Sequence, residues 1–168
     1  MVHSREFGPY GWYYLHTMSF HYNSEFTKHY NFIIDHVGLV LPCPVCRQHY
    51  KHQHSLINVS NIVNNEQHLQ KWLIQIHNNI NKLYKRKNFS YEQAREMYSG
   101  NIDYNKIFKF FEYIMNNINY INYKWTYEFM NNAIASFPDP DKRYLVGMYN
   151  NLDSLKIWWN DFREKMKF

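Results

Sequence analysis

The stretch Leu41-Pro42-Cys43-Pro44-Val45-Cys46-Arg47-Gln48-His49-Tyr50 contains both cysteines of the chain. Leu41-Pro42 predicts the end of a helix, because the residue before proline avoids helical backbone angles. A new helix is predicted from Cys43 or Pro44 through His54 to Leu56. Proline suits a first helical turn, where its missing N–H has no partner to lose. The C-x-x-C therefore sits where one helix stops and the next begins. A thiol at such a terminus ionises more readily, since free backbone N–H groups and the helix dipole favour the thiolate. Two intervening residues bring the sulfurs within bonding reach.

Four readings compete for this pair. A zinc site needs four ligands, usually two pairs on separate segments. His49, His52 and His54 lie on the same predicted helix, and there is no second C-x-x-C. A thioredoxin-like fold would place the motif after a strand in a βαβ pattern, but a helical segment precedes it here. A purely structural disulfide closing so short a loop stabilises little. The fourth reading is a redox-active dithiol coupled to a second site.

Working outward, the 168 residues suffice for one good core, or for a compact domain with a smaller appendage. Apolar content of 45% against 20% charged describes a globular chain rather than a disordered one. Aromatic content is 20%, led by 16 tyrosines in a chain also rich in Asn, Ile and Lys, so a tyrosine alone is not read as functional. The net charge of +5 and pI near 9.1 fit a basic surface, a phosphate-bearing cofactor or a nucleic acid. No Lys/Arg run resembles a basic arm, the densest cluster being Lys82 to Lys87. Met1-Val2-His3-Ser4-Arg5-Glu6 has no apolar core, so no secretory signal is expected. No apolar run approaches the roughly 18 residues of a spanning helix. Two cysteines cannot make the disulfide framework of a secreted domain.

The periodicity predicts helices almost throughout and no convincing strand. Gly8-Pro9 opens the first, with Trp12, Leu15, His16 and Phe20 at helical spacing. Ser24 is the predicted cap of the second, which carries Phe26, Tyr30, Ile33, Ile34 and Val37. Residues 58–65 read as a polar loop. A fourth helix runs from about Gln67 to Tyr84, burying Leu69, Trp72, Leu73, Ile76, Ile80 and Leu83. Ser90 and Gln93 form a capping box for a short fifth helix ending near Tyr98, and Ser99-Gly100 marks a break. Beyond it, Ile107, Phe111, Ile114, Ile118 and Ile121 continue a helical pattern. Trp125, Phe129 and Ala133 suggest another helix, stopped by Phe137-Pro138-Asp139-Pro140. Leu155, Trp158, Trp159, Phe162 and Met166 suggest the last.

The second site is sought in Trp72-Leu73-Ile74-Gln75-Ile76-His77-Asn78-Asn79-Ile80-Asn81. His77 and Asn81 stand one turn apart, with Asn78 beside them, on an otherwise apolar helix. A basic patch of Lys82, Lys85, Arg86 and Lys87 follows. In order, Gly8-x-x-x-Trp12-x-x-Leu15-His16, Pro42-Cys43-x-x-Cys46-x-x-His49, Trp72-x-x-x-x-His77-Asn78-x-x-Asn81, Phe89 and Tyr98 resemble the Erv/ALR family of FAD-linked sulfhydryl oxidases. The likeness covers residues 7–98. The Gly-Pro opening and Cys46-Arg47-x-His49-Tyr50 look most like members encoded by large DNA viruses.

The resemblance implies an all-α fold: a four-helix bundle cradling FAD, a short fifth helix over it, and a helical C-terminal extension. Residues 1–100 would be the oxidase domain and 101–168 the extension. It implies Cys43 and Cys46 as the catalytic pair, Cys46 beside the flavin and Cys43 outside. It implies cofactor contacts at Gly8, Trp12, His16, Tyr22, Cys46, His49, Trp72, His77, Asn78, Asn81, Lys82, Lys85, Arg86 and Tyr98, and no metal. Electrons would pass from protein dithiols through the C-x-x-C and FAD to O₂, giving H₂O₂. A homodimer without inter-subunit disulfides is implied, with no membrane or nucleic-acid partner. If the viral likeness holds, host cytoplasm, viral factory or virion is the implied location. The chain departs from the family pattern at Pro9, where Arg is common, and at Arg86-Lys87, where Lys-Pro is usual. Tyr98 stands where Trp is common, and no shuttle cysteine pair is present. The rival functions are a flavin-free dithiol relay and a basic helical nucleic-acid-binding protein.

Overall fold

The structure, a computed structural model, describes residues 3–143 and 151–167. Residues 1, 2, 144–150 and 168 lie outside the described part, including the start of the segment read for a secretory signal. Among the described residues every regular element is helical, and no helix is long and apolar enough to cross a membrane.

Helix α1 spans Ser4–Phe20 and starts well before the predicted Gly8-Pro9. The His3 backbone N–H donates to Glu6 Oε1 at 3.0 Å, closing the first turn. Phe7 is buried against the Tyr113 ring, which carries the helix back to its start. Pro9 consequently lies inside the helix, and Arg5, whose carbonyl loses a partner, is exposed to solvent that can replace it.

Asn23, rather than Ser24, supplies the next cap: its side chain accepts the Glu25 backbone N–H at 2.9 Å. One 3₁₀ turn, Ser24–Phe26, then leads into α2, Thr27–Val40. Leu41 leaves the helix with ψ 132°, as its position before Pro42 requires. Helix α3, Pro44–His54, follows at once. Its Tyr50 reaches back to α2, donating its hydroxyl to the Ile34 carbonyl at 2.6 Å. Gly38 makes room for that ring, since a Cβ there would meet Tyr50 Cδ1 at 2.6 Å. Gly38→Ala should therefore cost about 1–3 kcal/mol of stability through overpacking. A denaturant midpoint unchanged from wild type would refute this.

The stretch read as a polar loop contains a short helix, α4, Val59–Val63. Val59 and Val63, one turn apart, are buried, and five polar neighbours, Asn58, Ser60, Asn61, Asn64 and Asn65, concealed this pair in the sequence. Helix α5, Glu66–Leu83, begins at Asn65, whose side chain accepts the His68 N–H at 3.0 Å. Leu69, Trp72, Leu73 and Ile76 are buried as predicted, Ile80 half so, while Leu83 is 64% exposed beyond the core. Helix α6, Tyr91–Tyr98, has both halves of its capping box, Gln93 N–H to Ser90 Oγ and Ser90 N–H to Gln93 Oε1. Helices α1, α2, α3 and α5 are the four predicted bundle helices, with α6 lying against α1 and α5.

Beyond residue 100, α7, Tyr104–Met115, lies along α1, and α8, Tyr123–Ala135, along α2. Gly11 lets α7 come close: its Cβ would stand 3.0 Å from the Phe110 ring. Tyr14 of α1 packs among Phe110, Phe111 and Phe129. Helix α8 runs antiparallel to α2, with His29 bonded to Asn132 at 2.9 Å and the His36 ring 5.0 Å from Trp125. The predicted run to Ile121 stops at Met115 because Asn119 and Asn122 bond the intervening backbone as a turn. Ile121 is left 91% exposed. Helix α9, Leu152–Met166, sets Phe162 edge-on against Phe108 at 5.4 Å. One apolar core runs from Phe7 to Phe162 through both parts of the chain.

Candidate active site

A cavity of about 350 Å³ opens between α1, α2, α3 and α5, and the start of α3 forms part of its wall. Cys43 is the N-cap of that helix, with extended backbone, and Pro44 takes the first helical position. The Cys43 Sγ accepts the Cys46 backbone N–H at 3.2 Å, and the two cysteines form a disulfide. Cys46 lines the cavity; Cys43 does not. The disulfide thus joins a residue of the cavity wall to one outside the lining. Arg47 steadies the entry to α3 by donating its Nε–H to the Leu41 carbonyl at 2.6 Å.

Helix α1 contributes Gly8, Trp12 and Leu15 to the wall, and α5 contributes Ile76 and His77. Nothing stands within 4 Å of the position a Gly8 Cβ would occupy. Trp12 lies flat on His77, centroids 4.1 Å apart and planes 5° from parallel. The Phe89 ring meets His77 edge-on at 4.9 Å. His16, fully buried one turn beyond Trp12, bonds His77 from behind, Nε2 to Nδ1 at 3.0 Å. Tyr98 of α6 stacks on His16 at 4.7 Å and reaches the cavity.

The predicted residues divide by position. Gly8, Trp12, Cys46, His49, His77, Arg86 and Tyr98 line the cavity. His16, Trp72, Asn78 and Asn81 stand outside the lining and support it. The edge of Trp72 meets the ring of Tyr50, a wall residue, at 6.3 Å. Asn78 clamps the Phe89 peptide, donating to its carbonyl at 2.9 Å and accepting its N–H at 3.1 Å. Asn81 is buried and donates to the Lys87 carbonyl at 3.2 Å, while its own carbonyl accepts the Arg86 N–H at 2.8 Å. Lys85 takes the left-handed conformation, φ 55°, that turns the chain after α5 and brings Arg86 to the wall. Lys82 and Lys85 are exposed and outside the lining. Tyr22 is tied elsewhere, donating to the Val63 carbonyl at 2.9 Å. The sequence reading missed Tyr84, Gln53 and Phe110 in the wall. Tyr84 adjoins the basic patch and was visible as the last aromatic of the helix. Phe110 arrives only because α7 packs on α1.

Burial pushes the His16 imidazole down to about 3, helped by His77. His77 falls to about 4 through burial, with the Arg86 charge acting in the same direction. Both are neutral near pH 7. Unfolded histidines titrate near 6.5, so below that pH the unfolded chain binds protons that the folded pair refuses. Stability is complete above about 6.5 and should fall as the pH drops towards 4. His16 alone contributes a slope of up to about 1.4 kcal/mol per pH unit in that window. Thermal melts between pH 7 and 4.5 should show it, and a double His16→Gln, His77→Gln variant should flatten the curve. A wild-type melting temperature independent of pH across this range would contradict it.

Among the described residues, no three His, Cys, Asp or Glu side chains gather closely enough to hold a metal ion. No curated protein and no solved structure matches the chain at a significant level. A family model does: that of the Erv1 / Alr family, over residues 9–99, more than half of the chain. Members of that family are thiol oxidases in general and typically flavin-linked. With a disulfide at a helix start, its second cysteine in the wall of an aromatic cavity, the chain belongs to the Erv1 / Alr family.

Proposed function

We propose that the protein is an FAD-dependent sulfhydryl oxidase that forms disulfides in protein dithiols, 2 R–SH + O₂ giving R–S–S–R + H₂O₂. One observation supports this reading above the others: the Cys43–Cys46 disulfide has one of its residues, Cys46, in the cavity wall and the other outside the lining. The residues present fit a flavin nucleotide. The cavity lies in the size range of small-molecule sites. Trp12, His77 and Tyr98 offer flat aromatic surface, and Arg86 offers a fixed positive charge for phosphate. Behind the wall, His16 bonds His77 and leaves the His77 Nε2 without a partner in the described structure, a polar atom on a cavity-lining ring.

A substrate thiolate attacks the Cys43 sulfur, forming a mixed disulfide and releasing Cys46 as a thiolate. The first turn of α3 stabilises that charge with its backbone N–H groups. The second substrate thiolate attacks the substrate sulfur of the mixed disulfide. The product disulfide leaves, and Cys43 and Cys46 remain as a dithiol. Bound FAD would supply a two-electron acceptor for this dithiol, with O₂ as the final oxidant. Tyr50 and its seat on Gly38 hold α3, and so Cys46, against the cavity.

The extension, residues 101–168, belongs to the same folded unit in this reading, and substrates meet Cys43 directly because the chain has no further cysteine to carry the exchange. The homodimer would be noncovalent. The exposed Tyr120, Ile121 and Trp125 offer it apolar surface, and light scattering should then give twice the chain's 20.8 kDa. The test of function is the visible spectrum of the purified protein with a dithiol assay under air. A flavin spectrum at one FAD per chain, bleached by dithiol and restored by O₂, is expected. A colourless protein that cannot be loaded with FAD would leave a dithiol relay as the better reading.

A further inference from the structure

The hydrogen bond between His16 and His77 has a consequence for what the cavity can bind. His16 Nε2 and His77 Nδ1 lie 3.0 Å apart, and both rings are neutral near pH 7. Such a bond holds one proton between the two nitrogens, so one ring donates and the other accepts. In one arrangement, His77 Nδ1–H donates to His16 Nε2. The proton of His16 then sits on Nδ1, which is buried and without a partner. In the other, His16 Nε2–H donates to His77 Nδ1. His16 Nδ1 is then a bare lone pair, and the His77 proton moves to Nε2.

The second arrangement costs less. A buried N–H without an acceptor is the rarer defect in proteins, and an under-used acceptor is better tolerated. The second arrangement also puts both rings in the tautomer that neutral histidine itself prefers, with the proton on Nε2. His77 is held firmly enough for this to matter. Trp12 covers one face at 4.1 Å and Phe89 abuts it edge-on at 4.9 Å. His77 Nε2, on the far side of the ring from His16, bonds no described residue and is not among the buried atoms. The ring lines the cavity.

We infer that His16 is a positioning residue: it fixes His77 in the Nε2–H tautomer, so that the cavity presents its ligand with an oriented N–H donor. The group it would take is a hydrogen-bond acceptor, a carbonyl oxygen or unprotonated ring nitrogen, carried by a planar molecule. This rests on the flavin reading only for the identity of that molecule. The tautomer itself is a property of the protein.

Nitrogen NMR of histidine-labelled protein near pH 7 tests it. His77 should show a bare Nδ1 and a protonated Nε2, with a coupling across the hydrogen bond to a protonated His16 Nε2. A proton on His77 Nδ1 would overturn the inference. In His16→Gln the amide N–H can replace the lost donor, so His77 should keep its tautomer. In His16→Phe, which retains a ring against Tyr98, His77 should become a tautomer mixture. FAD titration should then give about tenfold weaker binding for His16→Phe and little change for His16→Gln. Equal loss in both variants, with the tautomer unchanged in each, would reduce His16 to a packing role. If no variant and no wild type binds FAD, the flavin reading fails while the wild-type spectrum still decides the tautomer. If His16→Phe does not fold, the wild-type and His16→Gln spectra decide it.

Discussion

Cys43→Ser and Cys46→Ser should each reduce dithiol oxidation to the uncatalysed rate, because either change removes the disulfide that accepts electrons from substrate. The two variants should differ in what remains. With Cys43 replaced, the Cys46 thiol stays on the cavity wall in the first turn of α3, where the helix terminus favours its thiolate. It should then perturb the absorption of a bound flavin with a long-wavelength charge-transfer band. With Cys46 replaced, Cys43 stands outside the lining and should give no such band. Cys43 should instead react faster with a bulky disulfide reagent, since it is the N-cap and the cavity does not enclose it. Spectra and labelling rates of both variants check this. A band from Cys43 rather than Cys46 would reverse the roles, and retained oxidation in either variant would remove the disulfide from the mechanism.

A chain cut after Gly100 should lose cooperative unfolding or become insoluble. Helices α7 and α8 cover α1 and α2 along their length. Phe108, Phe110, Phe111 and Phe129 are at most 1% exposed. Their loss uncovers Tyr14 and Met18 on α1, and Ile33 and Val40 on the α2 face that carries His29 and His36. Each large apolar side chain kept from water contributes about 1.5–3 kcal/mol. Several such terms together rival the whole stability of a domain, about 5–15 kcal/mol. In the intact chain this region should resist proteolysis under native conditions. A fragment of residues 1–100 that melts as sharply as the full chain, or rapid clipping of the extension from an intact remainder, would count against this.

The placing of Cys43 and Cys46 at a helix start was legible because it is local. A proline before and a proline between the cysteines set the helix start, and the sulfur–amide bond spans one turn. The Ser90–Gln93 capping box was legible for the same reason. Helix ends were misread where a local signal had a stronger local rival. The bond between His3 N–H and Glu6 outweighed Pro9, and the Asn119–Asn122 turn outweighed the spacing of Ile118 and Ile121. The family likeness marked His16 and His77 but carried no word of the bond between them, which joins residues 61 positions apart.

Tertiary packing alone decided which marked residues meet. Trp12 and His77 lie face to face because α1 packs on α5, whereas Tyr22, ten residues further along, bonds Val63. Lys82 and Lys85 stay in solvent while Arg86, next in sequence, reaches the wall, because one left-handed residue reverses the chain. Phe110 enters the cavity only through the close approach that Gly11 permits between α1 and α7. Capping, proline geometry and helical periodicity act within a turn or two of the chain, so the sequence by itself determined the long helices, though not α4, and the placing of the dithiol. Which faces of those helices touch depends on the fit of side chains from distant segments, and only the folded structure decided that.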